Sequence, residues 1–152
     1  MILDERSEFA DAVALNTGAA GTYNIGDVID TQVGSLNTLI NHGNGQNLYL
    51  VIQVDTTATS GGSATGQFRL VSDAVATPDT STATVHYTSA AIPVASLTAG
   101  TTPVVVALPH GSYERYLGIQ QITGTAAFTA GKVNAFLTPD PSAWRAYADN
   151  VS

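Results

Sequence analysis

The chain has 152 residues, of which 11% are charged, with a formal net charge of −7 and no cysteine. Ordinary soluble domains carry about a quarter charged residues. The absence of cysteine excludes disulfides and thiolate metal sites, and the acidic balance, with Arg6, Arg69, Arg115, Lys132 and Arg145 forming no cluster, speaks against nucleic acid or anionic lipid as direct ligands.

The first residues leave two readings open. Arg6 to Leu15 places Phe9 and Val13 at helical i,i+4 spacing, yet Ala12 to Leu15 also fits an early strand. From about Ile25 the pattern is period-2 with β-branched residues, and a strand is expected over Ile25–Thr31. Between Thr31 and Phe68 the only charged side chain is Asp55. The Asn-Gly turn signals in Asn41-His42-Gly43-Asn44-Gly45 lead into the clearest strand, Leu48–Asp55. It puts Leu48, Leu50, Ile52 and Val54 on one face and Tyr49, Val51, Gln53 and Asp55 on the other. Gly61-Gly62 breaks the chain before Thr65–Ser72, with Phe68 and Leu70 inward and Gln67 and Arg69 outward. A strand over Thr82–Ser89 sets Ala83, Val85 and Tyr87 opposite Thr84, His86 and Thr88. Pro93 and Pro103 flank an irregular crossing, after which Val104–Leu108 forms a short strand that Pro103 can open. Pro109-His110-Gly111-Ser112 turns the chain. Glu114–Thr123 and Lys132–Thr138 then form a final pair across Gly124-Thr125, with Leu117 and Ile119 facing Val133, Ala135 and Leu137.

Seven or eight short strands punctuated by Gly, Pro and Asn predict an all-β fold, an antiparallel β-sandwich. Long crossings between them fit a jelly roll of about eight strands better than an up-and-down meander. The expected organisation is an N-terminal arm with a first strand over 1–24, the sandwich over 25–138 and a C-terminal arm over 139–152. Pro139-Asp140-Pro141 ends the last strand.

A search for chemistry finds none. No Gly-x-Ser-x-Gly elbow is present, and no Ser stands in a recognisable catalytic context. His42, His86 and His110 are dispersed and lack paired ligand spacing. Asp4, Glu5 and Glu8, and likewise Asp27 and Asp30, do not reproduce a calcium loop. Gly131-Lys132 is superficially like a phosphate-binding loop, but Val133 replaces the hydroxyl residue and a hairpin is expected there. No enzymatic activity, cofactor or metal is therefore expected. The opening Met1-Ile2-Leu3-Asp4-Glu5-Arg6 lacks the basic-then-apolar pattern of a secretory signal, and no apolar run approaches membrane-spanning length. Expression in the cytosol and no membrane partner are the expectations.

The positive signals concern binding. Lys and Glu are depleted at protein–protein contacts, and this chain has a single lysine, Lys132. A surface meant to be covered explains that, as does a Lys-poor, Ala-rich genome. Trp144, Arg145 and Tyr147 stand in a tail too short to bury its own aromatics, and Ile2, Leu3 and Phe9 make the leading segment apolar. These residues are the candidate interface. A tail folded back onto its own sandwich is the competing reading. Carbohydrate binding or adhesion is the rival function, with Tyr49, Tyr87 and Tyr116 as candidate stacking aromatics.

The order of segments resembles a known family. Met1-Ile2-Leu3-Asp4 and Phe9-Ala10-Asp11-Ala12 precede Leu48–Asp55, which is followed by Phe68-Arg69-Leu70-Val71-Ser72-Asp73. Ala91–Leu97, Leu108-Pro109, Glu114-Arg115-Tyr116-Leu117 and Ala130-Gly131-Lys132-Val133 come next. From Met1 to about Leu137 this is similar to the capsid cement (decoration) proteins of certain short-tailed bacteriophages. The resemblance implies a jelly-roll subunit that forms homotrimers on the outer capsid surface of the virion and ties neighbouring major capsid proteins together. It implies no enzymatic activity and no cofactor.

Overall fold

The structure is a computed structural model that describes residues 5–33, 38–39, 42 and 47–143. Its strands are β1 (Glu8–Ala14), β2 (Gly21–Asp30), β3 (Gln32–Val33), β4 (Thr38–Leu39), β5 (Tyr49–Ser60) and β6 (Thr65–Asp73). β7 (Thr84–Thr88), β8 (Ile92–Pro93), β9 (Val104–Ala107), β10 (Tyr116–Gly124) and β11 (Phe128–Thr138) follow. One sheet has the order β1-β11-β5-β9, the other β2-β10-β6-β7, with β8 continuing the β7 edge along β6. Every pairing is antiparallel.

With the two-residue strands set aside, the first principal strand pairs with the eighth, the second with the seventh, the third with the sixth and the fourth with the fifth. A long antiparallel ribbon wrapped so that its strands alternate between two facing sheets is the jelly roll. The alternation read in the sequence builds it. Leu50, Ile52 and Val54 of β5, Phe68 and Leu70 of β6, Leu117 and Ile119 of β10, and Val133, Ala135 and Leu137 of β11 are all buried in one core between the sheets. Leu97, without exposed surface, belongs to that core from the crossing between β8 and β9.

One open reading is resolved and two expectations are corrected. The segment around Arg6–Leu15 is strand β1 after a single 3-10 turn at Glu5–Ser7, not a helix. β10 and β11 do not form a hairpin: β10 bonds to β2 and β6, β11 to β1 and β5, so they face each other across the core. Their inward residues are those expected, because facing sheets and paired strands bury the same alternating positions. The division at residue 24 cuts β2, which starts at Gly21.

The outer face of the second sheet is covered in turn. The loop after β6 crosses β10, and buried Pro78 lies over Gly118, where an added Cβ would stand 3.1 Å from the proline Cγ. Asn24 Nδ2 donates to Pro78 O (2.8 Å) and Gln120 Nε2 donates to Asp79 O (3.2 Å). Val71 and Gln120 point away from the core yet are 0% and 1% exposed.

A candidate interface on the uncharged side

The two long sides of the sandwich differ in charge. On one side run β1, with Glu8 and Asp11, and β2, with Asp27 and Asp30. Arg6, Glu8, Asp27 and Asp30 line a cleft there of about 430 Å³. Arg115 clamps Asp30 in bidentate fashion, with Nε to Oδ1 at 2.9 Å and Nη2 to Oδ2 at 2.8 Å. This contact, with the Gln32 amide, holds the Asp30 carboxyl down at about 2. The guanidinium also lies 4.8 Å from the Tyr116 ring.

The opposite side is formed by the edge strands β7 and β9 and their connections, and residues 80–113 include no Asp, Glu, Lys or Arg. Val85 and Val105 are 45% and 52% exposed there. The strands β7 and β9 themselves bear no formal charge, the Glu114 carboxylate on Thr84 bordering β7, whereas natural sheets often blunt their edges with charges, prolines or bulges. The β1 and β2 edges are blunted in that way: β1 carries a non-glycine positive φ at Ala12 (48°), and Gly26 in β2 has φ 70°. On the other side Pro103 ahead of β9, Pro93 in β8 and a register shift in β7 serve that purpose.

The uncharged edge is braced from within. A register shift lies between Leu70↔Tyr87 and Val71↔Val85. A bulge changes which face a side chain takes, so Tyr87 packs against the core while Val85 turns out beside Val71. The expected common face of Val85 and Tyr87 is thereby corrected, and His86, expected opposite them with Thr84 and Thr88, lies against Ser72 and Tyr113. His86 Nε2 lies 2.7 Å from the hydroxyl of Ser72, which also accepts the Glu114 N–H at 3.0 Å. The imidazole stacks on Tyr113 at 3.8 Å, and Thr84 Oγ1 donates to Glu114 Oε1 at 2.7 Å. Tyr113 in turn donates to Pro109 O at 2.8 Å. Burial lowers the His86 pKa, against an opposing pull from Glu114, and burial lifts the Tyr113 phenol to about 12. Although serine beside histidine is the geometry of an activated nucleophile, Ser72 has no exposed surface. The pair ties β7 to the turn before β10.

Among the described residues no group of three His, Asp or Glu side chains is placed to hold a metal ion. No described helix is long and apolar enough to cross a membrane. The tyrosines weighed for carbohydrate stacking do not share a platform: Tyr49 lies on the first sheet, Tyr116 on the second, and Tyr87 against the core.

The residues expected at the interface fare differently. Phe9 is 0% exposed and sits in the core, so it is corrected from arm to sandwich. Ile2, Leu3, Trp144, Arg145 and Tyr147 lie outside the described residues. The strands they flank are fixed, however. Glu8 pairs with Phe136 and β11 ends at Thr138, so the segments before β1 and after β11 leave from one corner.

Residues 9–137, the jelly roll from β1 to β11, match the family model Bbp16. The chain belongs to the Bbp16 family. Bbp16 is a phage-related family, and its model takes in both sheets and the whole uncharged side while ending short of the two terminal segments. No curated protein matches the chain. The charge-free run at residues 80–113 is visible in the sequence, but only the strand order shows that it makes one side of the molecule.

Proposed function

We propose that this chain is a structural subunit of a bacteriophage particle, a cement protein on the outer surface of the head that bridges neighbouring major capsid proteins. It is made in the host cytoplasm, catalyses no reaction and takes no cofactor. Membership in a phage-related family and the jelly-roll fold support the setting. The observation that carries the reading is the uncharged β7–β9 side on an otherwise acidic molecule, with Val85 and Val105 exposed on it. Acidic surfaces repel one another, so a chain with net charge −7 meets a neighbour at least cost where it bears no charge. Resemblance to phage cement proteins adds the finer claim of a homotrimer. Several copies engaging the shell together convert later contacts into intramolecular ones, which raises avidity by about 10² to 10⁴ without any single strong contact.

Purified heads lacking this subunit provide the test. Added wild-type chain is expected to bind them to saturation and raise the temperature at which they rupture. The double variant Val85→Lys, Val105→Lys is expected to keep its unfolding midpoint and lose occupancy. Wild-type chain that ignores the heads, or a double variant that binds them as well as wild type, would overturn the proposal. Solution mass decides the trimer.

A further inference from the structure

A strand at a sheet edge carries backbone donors and acceptors that its own sheet cannot take up. β9 is such a strand, bonded to β5 and ending the first sheet. Its ladder fixes which groups are left over. Leu108 N donates to Leu48 O at 2.9 Å, one step beyond the Tyr49↔Ala107 pair. Opposite residues in an antiparallel ladder alternate between bonded and non-bonded pairs, so Val104 and Val106 direct their amides and carbonyls at β5. Val105 and Ala107 turn theirs to the open edge, and both residues are exposed. Pro103 and Pro109 hold the next positions of the same parity, and a proline offers no N–H. The open edge therefore presents the amides and carbonyls of Val105 and Ala107 between two prolines, placed symmetrically about Val106.

We propose that this edge pairs with the same edge of a second copy of the chain, antiparallel and centred on Val106. In that register Val105 of each chain exchanges both bonds with Ala107 of the other, and proline faces proline beyond them. Every outward donor and acceptor between the prolines is then matched. Sliding the centre to Val105 sets Ala107 against Pro103 and leaves the Ala107 carbonyl without a donor. Sliding it to Ala107 does the same to the Val105 carbonyl, set against Pro109. A pattern that reads the same in both directions is what an isologous, twofold contact requires. Charge selects the same partner. Two chains of net charge −7 repel one another, and β9 lies within the charge-free run at residues 80–113, where that repulsion is least. The pairing runs in the plane of the sheet, whereas the Val105 side chain stands out from its face, so both can be engaged at once. The inference goes beyond the proposed function: a twofold contact joins chains or trimers in pairs, closes no trimer and needs no shell.

The chain has no cysteine, so single substitutions read the register directly. In the centred pair the two copies of position 106 face each other with Cα atoms about 4.5 Å apart, within disulfide reach, while the two copies of position 105 stand diagonally at about 7–8 Å. Full-length Val106→Cys, oxidised with diamide at high chain concentration, is expected to give covalent dimer several-fold faster than Val105→Cys or Ala107→Cys alone. A mixture of those last two chains is expected to cross-link one to the other. Adding Ala107→Pro to Val106→Cys removes an outward donor but no bond to β5, and is expected to cut cross-linking several-fold with the unfolding midpoint kept. Equal cross-linking at all three positions marks random collision and overturns the proposal. So does dimer formed fastest by Val105→Cys or Ala107→Cys alone, or a proline variant that cross-links as well as its parent. These readings are made without heads, so they fail or succeed apart from head binding.

Discussion

Phe9 and His86 show how far single residues can be read from sequence. An apolar residue near a chain end looks like an exposed arm, and the i,i+4 spacing of Phe9 and Val13 even permits a helix. What decides is the partner strand β11, more than a hundred positions away in sequence, which holds Phe9 in the core. Phe9→Ala is therefore expected to cost about 3–5 kcal/mol, the range for a buried Phe, in denaturant unfolding; a surface arm residue would cost almost nothing. Gly26 is a second fixed point. With φ at 70° and the position of a Cβ only 2.1 Å from the Phe9 carbonyl oxygen, Gly26→Ala is expected to destabilise by more than about 1 kcal/mol in the same assay. His86 gives a pH signature. Its pKa is lowered by burial in the folded chain, so below the ordinary histidine value the unfolded chain takes up the proton first. Stability attributable to this group is complete above about pH 6.5 and falls as pH drops toward the depressed folded value. His86→Gln is expected to flatten the dependence of the unfolding midpoint on pH between 7 and 5, and a slope unchanged from wild type would overturn this.

Elements were legible where one face is buried and the alternation is clean. β5, β6 and the last half of β11 kept the faces expected from their sequences. The expectation failed where pairing is non-local or bulged. Gly124-Thr125 has the composition of a hairpin turn, yet in a jelly roll that connection crosses from one sheet to the other. The β7 bulge put Val85 and Tyr87 on opposite faces, which a strict period of two cannot foresee. The Pro78 loop offers an element-scale prediction. Gly118 leaves room for the proline ring, so Gly118→Val is expected to lift the loop and speed amide exchange at residues held by it, above all Ser81 and Thr82, whose amides donate to Asp79. Unchanged exchange there would show that the loop is held elsewhere.

At the scale of the whole molecule, charge and topology act together. The uncharged run at residues 80–113 becomes a surface only because the fifth and sixth principal strands share one side of the roll. If that side makes the contact, binding to heads is expected to change little between low and high salt, because no ion pair is there to be screened. Steep loss of occupancy with salt would place the contact on the acidic side instead. The nested pairing of strands has a further outcome, in the order in which the molecule is assembled. The innermost partners, β6 and β7, are joined by one loop, whereas Glu8 must wait for Phe136. Contacts of long sequence separation close late and slowly, so a ribosome delivers β1 long before its ladder partner β11 exists. During that wait the newborn chain holds an unmatched strand, and its acidic side chains at Glu8 and Asp11 discourage it from zipping onto a sibling on the same message.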